Sequence, residues 1–288
     1  MKQFLECLYL FLLLMTCGEH KTEATKGGSQ RNIDSLLFAI DSTFVNEVKE
    51  PEPEQPKTID ESFTDFIYRF STDERLQRSR ISFPLPSYTF EKRDTIQKTD
   101  WTFDPMLSSK EIYTEIYSDN DSIEVEEDMN STSAQVEWIN LQERTVKRCY
   151  FERINGKWKL EAIDNCALAA QDSTTNKEDF YEFYWHFTAD STFQSQRVAE
   201  PLRYITADPD NEFEVLQTTL EPGQWFAFRP DCPAEVLTNI VHNNAPSINE
   251  SDHLTLSLKG FGNGFINNLY FERDEGKWML VQFEDICD

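Results

Sequence analysis

An aspartate and an arginine recur seven positions apart at two places in the chain. Asp73 precedes Arg80, and Asp190 precedes Arg197. Held side by side, the two charged groups could line a polar pocket and orient a ligand. The same residue types also suit a structural role, in which the aspartate caps a helix and the arginine closes a helix–helix corner with an ion pair. We expect the structural role.

Two acidic runs carry oxygen ligands of the kind that calcium prefers. They are Asp119-x-Asp121-x-x-Glu124 and Asp208-x-Asp210-x-Glu212. Neither run has the glycine or the distal glutamate of an EF-hand loop, so we expect solvated loops and no metal. The sequence also has no phosphate-binding glycine loop, no Gly-x-Ser-x-Gly elbow, no His-Glu-x-x-His motif and no zinc-type cysteine spacing. Phosphoryl, nucleophilic and zinc chemistry therefore lack support, and we expect no cofactor.

The repeated charges belong to a longer internal repeat. Tyr150–Leu160 (YFERINGKWKL) recurs as Tyr270–Leu280 (YFERDEGKWML), with eight of eleven residues identical. Each copy has an aromatic-rich run, a two-residue turn ending in glycine, and a Lys-Trp-x-Leu run, which predicts a β-hairpin. Copies this similar, about 120 residues apart, indicate a duplicated domain.

Each copy also begins with apolar residues at helical spacing. The two sets share the spacing i, i+3, i+4, i+7, and they are Phe63, Phe66, Ile67 and Phe70, then Phe180, Phe183, Tyr184 and Phe187. Thr58 with Glu61 predicts a capping box for the first helix, and Asn176 predicts an N-cap for the second. A short second helix and several strands follow in both. This order predicts an α+β fold of two tandem cone-like domains, with helices packed on a curved antiparallel sheet.

The predicted organisation of the chain has five parts. These are a lipoprotein signal peptide (1–17), a tether with a short helix and a Pro/Glu linker (18–57), a first α+β domain (58–168), a linker (169–176) and a second α+β domain (177–288).

The chain is strongly acidic. Its 288 residues carry a formal net charge of −25, with a pI of about 4.5. This charge repels phosphate backbones, so we expect no nucleic-acid binding, and it disfavours docking on an anionic bilayer through basic patches.

The N-terminus predicts export. Phe4–Met15 is an apolar run too short to span a bilayer, and it ends in Leu14-Met15-Thr16-Cys17, which resembles a bacterial lipobox. Cys17 is then the lipidation site, and the protein is anchored in the cell envelope, in the periplasm or at the outer-membrane surface. The alternative is an ordinary secretory signal with Cys17 incidental.

Four cysteines remain beyond the leader, an even number that suits disulfides in an oxidising compartment. They are Cys149, Cys166, Cys232 and Cys287. Three pairings are possible, and we predict one bridge per domain, Cys149–Cys166 and Cys232–Cys287.

The repeated segments resemble an uncharacterised family of envelope lipoproteins from the Bacteroides group. The string Phe66–Asp73, then Gln77, Arg80-Ile81 and Phe83-Pro84-Leu85, with the closing hairpin at Tyr150–Trp158, carries this resemblance. The resemblance covers both copies and implies the nuclear-transport-factor-2-like (NTF2-like), cystatin-like cone fold and an envelope location. The family has no assigned activity.

The cone fold often holds a pocket between helix and sheet, and some relatives of that fold are isomerases or dehydratases. In this chain the resemblance implies His186, Asp190 and Tyr204 as the acid–base candidates. Arg69 stands where His186 would be in the first copy, so we expect a surface or interdomain histidine.

Bacteria of this group also O-glycosylate Asp-Ser or Asp-Thr followed by certain small or apolar residues. Six triplets fit this pattern, with the acceptors Ser35, Ser42, Thr95, Ser122, Ser173 and Ser191. We expect modification in the tether and the linker.

The sequence thus predicts a non-catalytic envelope module that binds a small molecule, a glycan or a protein. The alternatives are an isomerase- or dehydratase-type enzyme that uses a pocket in one domain, and a purely structural envelope component. The ligand-pocket candidates are Asp73, Arg80, His186, Asp190, Arg197 and Tyr204.

Overall fold

The computed structural model describes residues 61–286, apart from 91, 119–130, 170–175 and 243–247. We call residues 61–169 the first half and residues 176–286 the second half. The first half contains α1 (Phe63–Thr72), α2 (Glu74–Ser79), β1 (Leu85–Thr89), β2 (Lys92–Ile96), a 3-10 helix (Met106–Ser109), β3 (Ile112–Tyr117), β4 (Ser133–Asn140), β5 (Thr145–Ile154) and β6 (Lys157–Ala167). The second half contains α3 (Phe180–Ala189), α4 (Ser191–Gln196), β7 (Val198–Asp208), β8 (Asn211–Leu220), α5 (Trp225–Phe228), β9 (Val236–His242), a 3-10 turn (Ile248–Glu250), β10 (His253–Gly260), β11 (Ile266–Asp274) and β12 (Lys277–Asp285).

The leading helix of each half begins at a side-chain cap. Ser62 accepts a hydrogen bond from the Asp65 amide at the start of α1, and Asp179 accepts one from the Glu182 amide at the start of α3. Each bond satisfies one of the free amides of a first helical turn. The predicted cap at Asn176 is therefore wrong by three residues, and Thr58 lies outside the described residues.

The closing hairpins form as the repeat predicts. Asn155 and Gly156 both have positive φ, as do Glu275 and Gly276, which gives the tight turn that matches the twist of the flanking strands. The same register shift occurs in both hairpins, at Tyr150/Phe151 and Tyr270/Phe271.

Aromatic side chains join each leading helix to its sheet. In the first half, the Phe63 ring lies 4.9 Å from that of Trp158 and 5.4 Å from that of Phe151, edge to face in both contacts. In the second half, the Phe180 ring lies 5.4 Å from that of Trp278 in the same orientation. All five side chains are buried. Such pairs add about 0.5–1.5 kcal/mol to the free energy of burial.

The strands form two six-stranded sheets that exchange a strand. Sheet A has the order β2-β1-β6-β5-β4-β9, and sheet B has the order β3-β10-β11-β12-β7-β8. Strand β9 of the second half therefore completes the sheet of the first, and β3 of the first half completes the sheet of the second. Each sheet also has one parallel pair, β1–β6 or β7–β12, so the expectation of a purely antiparallel sheet is corrected.

The two exchanged strands meet each other at a pair of threonines. The Thr114 amide donates to Thr238 Oγ1 over 2.6 Å, and the Thr238 amide donates to Thr114 Oγ1 over 2.7 Å. The contact is reciprocal, as in a two-fold symmetric interface in which residue i meets j and j meets i. It links the free edges of β3 and β9, whose outward amides would otherwise lack partners.

The exchange also brings each half against the leading helix of the other. Arg144, in the turn between β4 and β5, donates to Asp179 over 2.7 Å at the cap of α3. On the other side, the Tyr68 ring of α1 stacks on Phe261, 5.0 Å away, in the turn between β10 and β11. The described residues belong to one compact unit, and each sheet draws strands from both sides of the predicted 169–176 linker.

The strand exchange predicts that neither half folds well alone. Expressed separately, residues 58–168 and 177–288 each lack one edge strand and expose the strand that it covers, so we expect poorly soluble or aggregating fragments. Mixing or co-expressing the two should restore a soluble 1:1 complex with the circular dichroism spectrum of the intact chain. Analytical ultracentrifugation measures the stoichiometry, and two independently folded, non-associating fragments would contradict the exchange.

Candidate functional site

The repeated aspartates are helix caps. Asp73 Oδ1 accepts from the amides of Arg75 and Leu76 at the start of α2, and Asp190 Oδ1 accepts from the amides of Thr192 and Phe193 at the start of α4. Both aspartates are exposed to solvent.

The repeated arginines clamp three segments together. Arg80 Nη1 lies 3.0 Å from Glu61 Oε2, ahead of α1, and 3.1 Å from the carbonyl oxygen of Trp158. Arg197 repeats this with Glu178 at 2.8 Å and with the carbonyl oxygen of Trp278 at 3.0 Å. Each arginine thus ties the entry of the leading helix to the closing hairpin. Neither arginine pairs with the aspartate seven residues before it.

The three acid–base candidates do not come together. His186 is exposed, with its ring 4.7 Å from that of Trp185 and 5.7 Å from that of Phe193. Tyr204 is buried on β7, stacked on Phe283. Asp190 remains a helix cap. Among the described residues, no hydrogen bond or ring contact joins any two of these three side chains.

A buried glutamine supports each half from within, although the sequence assigned it no role. Gln77 Nε2 donates to the carbonyls of Phe70 and Asp104, and its Oε1 accepts from Trp101 Nε1 over 3.1 Å and from the Asp104 amide. Gln194 likewise donates to the carbonyl of Phe187, but its Oε1 accepts from Arg229 Nη1 over 2.6 Å. Both glutamines occur four residues after the repeated aspartate, which is the signal that could have identified them.

The second half differs from the first in the polarity of its interior. The acceptor of Gln194 bonds Arg229, and the indole N–H of Trp225 is buried without a hydrogen-bond partner in the described structure, whereas its counterpart Trp101 has one. The second half also has a buried tyrosine, Tyr184, where the first half has Ile67, and Cys232 is the polar neighbour of its hydroxyl. The two interiors therefore differ at these positions, with a paired indole and an isoleucine in the first half and an unpaired indole and a tyrosine in the second.

The Tyr184 hydroxyl lies beside the thiol of Cys232. Burial raises the pKa of Tyr184 well above its ordinary value, and the neighbouring Cys232 adds to the shift. Burial also raises the pKa of Cys232 to about 12, so its thiol stays protonated near neutral pH and is a poor nucleophile. Neither group is poised for acid–base or nucleophilic catalysis.

A second polar cluster lies across the ladder between β3 and β10. Lys259 Nζ is 2.8 Å from Glu115 Oε2 and 2.7 Å from the hydroxyl of Tyr117, which itself donates to Glu115. Burial, and then the negative charge of Glu115, raises the pKa of Tyr117 and of Tyr113. The cluster joins the first half to the second, and its groups satisfy one another. We therefore assign it a structural role, which is to hold the exchanged strand β3 against β10.

Cys149 and Cys166 are free thiols, which corrects the predicted disulfide between them. Cys149 lies opposite Ile163, whereas Cys166 lies opposite Val146, three positions away along the hairpin. Three positions span about 10 Å, beyond the roughly 7 Å that a disulfide allows between Cα atoms. Burial raises the pKa of Cys149 to about 12. The predicted Cys232–Cys287 pair includes Cys287, which lies outside the described residues.

The predicted modification and metal sites fall largely outside the described residues. These are Cys17, the acceptors Ser35, Ser42, Ser122 and Ser173, and the run Asp119–Glu124. Thr95 on β2 and Ser191 at the start of α4 are exposed. Asp208 and Asp210 lie at the turn between β7 and β8, and the described part of the chain shows no cluster of metal-ligating side chains. None of the helices described is long and apolar enough to cross a membrane.

The two sheets and the helices packed on them define an α+β protein, and the comparison with solved structures shows that it is NTF2-like. The solved structure of an NTF2-like protein from Bacteroides fragilis matches 80% of this chain and 98% of its own, with 44% identity and a TM-score of 0.73. The chain belongs to the family described as "Domain of unknown function (DUF4348)", whose pattern matches residues 41–285. No curated protein gives a match.

The arginine clamp predicts a measurable loss of stability. Arg197→Met removes the bonds to Glu178 and to the Trp278 carbonyl and leaves a half-buried carboxylate without its ion-pair partner, so we expect the free energy of unfolding to fall by about 1–3 kcal/mol. The matched control is Arg203→Met, whose exposed side chain lies 3.9 Å from Glu272 and should cost no more than about 0.5 kcal/mol. Urea denaturation measures both, and equal losses would contradict the assigned role.

The buried tyrosines predict a loss of stability at alkaline pH. Burial raises the pKa of Tyr113, Tyr117, Tyr181, Tyr184 and Tyr270 above the ordinary value of 10.0. Above pH 10 the unfolded chain releases these protons while the folded chain retains them, so stability is full below that pH and falls as the pH rises.

An alkaline titration tests this loss of stability. It follows the absorbance of tyrosinate together with the far-UV circular dichroism. The absorbance of these tyrosines should rise only with the loss of structure, whereas the chain in urea should titrate near pH 10. Ionisation of every tyrosine near pH 10 in the folded protein would contradict it.

Proposed function

We propose that the protein is a non-catalytic, partner-binding component of the cell envelope. Two tandem cone-like NTF2-like domains form its globular part, and a lipid on Cys17 anchors it to the membrane. This proposal joins the family membership, for which no activity is known, to the lipobox-like sequence at the N-terminus.

The observation that carries the proposal is that aromatic side chains fill the space between helix and sheet in both halves. Phe66, Phe70 and Phe151 pack ring against ring in the first half, and Phe183, Phe187 and Phe271 do so in the second, all at 1% exposure or less. Interiors packed in this way build structure and leave recognition to the outer surfaces and strand edges.

The enzymatic alternative has less support. An isomerase or dehydratase needs an acid or base of suitable pKa within reach of its substrate. His186 is exposed, Asp190 caps a helix, and Tyr204 is stacked among aromatic rings. In the described structure, none of these three side chains contacts another of them through a hydrogen bond or a ring contact.

A small ligand within the second half is the second candidate function. The buried indole N–H of Trp225, which has no hydrogen-bond partner in the described structure, favours it. A compact molecule with a hydrogen-bond acceptor would satisfy this N–H, which is costly to leave unpaired. Native mass spectrometry of the host-purified protein would show such a ligand as added mass.

Cross-linking in intact cells of the native host tests the proposed function. The tagged full-length protein should fractionate with membranes and yield a reproducible cross-linked protein partner. The control, Cys17→Ala, should leave the membrane fraction because it cannot be lipidated. An unmodified N-terminus would contradict the anchor, and cross-links indistinguishable from those of an abundant unrelated lipoprotein would contradict partner binding.

A further inference from the structure

The exposed edge of sheet B is formed by β8. This strand has ten residues, Asn211–Leu220, and in the described structure it pairs only with β7. We propose that this edge binds a basic, extended segment of a partner protein, which adds to sheet B as a seventh strand. The inference rests on the proposed partner-binding function and specifies its surface and the chemistry of the partner.

The edge of sheet A shows what a protected edge looks like in this chain. The strand at that position, β2, has five residues, Lys92–Ile96, and begins Lys-Arg-Asp, with all three charged side chains exposed. Short length and charged residues, lysine above all, are the usual means of preventing another strand from pairing with an edge. Strand β8 is twice as long and contains no lysine or arginine, and its charged residues, Glu212 and Glu214, lie near its start. The two edges hold matching positions in their sheets, so the difference is specific to β8.

Apolar side chains project from both faces of β8. Val215 is 45% exposed and Leu216 is 44% exposed, and neighbouring residues on a strand point to opposite faces. Phe228 of α5 is 47% exposed and packs its ring 5.7 Å from that of Tyr204, on the strand next to β8. An added strand would cover apolar surface on either side while it forms main-chain hydrogen bonds, which is the mode of β-strand addition.

The charge near the edge selects a basic partner. Between Tyr204 and Phe228 the chain has five acidic residues and no lysine or arginine. These residues are Asp208, Asp210, Glu212, Glu214 and Glu221. A strand with lysines or arginines at its ends and apolar residues at its centre complements this segment in charge and in polarity. A second copy of this chain does not, since each copy has a net charge of −25.

A peptide titration on the full mature chain tests the proposal. The probe is a ten-residue peptide with two lysines at each end and valines between them, which matches β8 in length. One control peptide has proline in place of the two central valines, which keeps the charge and prevents strand pairing. The other has glutamate in place of lysine. Fluorescence anisotropy at physiological salt should show binding of the probe and at least about tenfold weaker binding of both controls.

Variants of the two edges localise the binding. Val215→Lys with Leu216→Lys gives β8 the protection that β2 already has, and it should weaken binding of the probe by about tenfold or more. The matched control is Thr95→Lys on the exposed edge of β2, which should leave binding unchanged. Circular dichroism confirms that both variants are folded. Equal binding of the proline peptide, or no loss in the β8 variant, would overturn the proposal.

The cross-linked partner from host cells separates this inference from the function on which it rests. Loss of that partner in the β8 variant, but not in Thr95→Lys, supports the edge as the binding surface. A partner retained by the β8 variant would overturn the edge and leave the proposed function standing. The absence of any partner for the unmodified protein would overturn both. A dimer of the wild type that the β8 substitutions dissociate, seen by ultracentrifugation, would assign the edge to a second copy instead.

Discussion

The structure depends on one constraint, which is that strands β3 and β9 find their sheet partners only in the opposite half. Each half makes five strands of its own sheet and gives the sixth away. Because the exchange is mutual, neither half can unfold without exposing an edge of the other. The threonine contact between β3 and β9, the Arg144–Asp179 ion pair and the Tyr68–Phe261 stack all follow from this arrangement.

The two halves share the residues that hold their helices and hairpins together, but they differ in their interior polar groups and in their exposed edge strands. The aspartate cap, the buried glutamine and the arginine clamp are present in both. In the first half the glutamine accepts from the indole N–H of Trp101, whereas in the second half it accepts from Arg229 and the indole N–H of Trp225 has no hydrogen-bond partner in the described structure. Likewise, β2 begins with lysine and arginine, whereas its counterpart β8 contains neither. The structural residues are therefore the same in both halves, whereas the edge strands and the interior polar groups differ between them.

Much of the local structure could be predicted from the sequence, because it depends on neighbours along the chain. Each leading helix could be predicted from four apolar, mostly aromatic residues at helical spacing. Each hairpin could be predicted from its glycine-containing turn, at Gly156 or Gly276. The α+β class is also confirmed. The strand exchange could not be predicted, since a strand of given pattern pairs equally well with either of two similar sheets. The Cys149–Cys166 pairing failed for a related reason, because closeness in sequence says nothing of hairpin register. The positions of the candidate site residues could not be predicted either. Whether His186 and Tyr204 lie close together depends on tertiary packing, which the spacing of residues along the sequence does not determine.

Two chains that exchanged strands in this way would be a dimer, which falls apart on dilution. Here both halves belong to one polypeptide. The effective concentration of one half at the other is therefore fixed by the residues that connect them. The association therefore does not depend on how many molecules a cell makes. A protein present in few copies per cell keeps both sheets complete. Two similar sheets that share one chain also sit in a fixed 1:1 ratio, so a divergent edge on one of them occurs once per molecule.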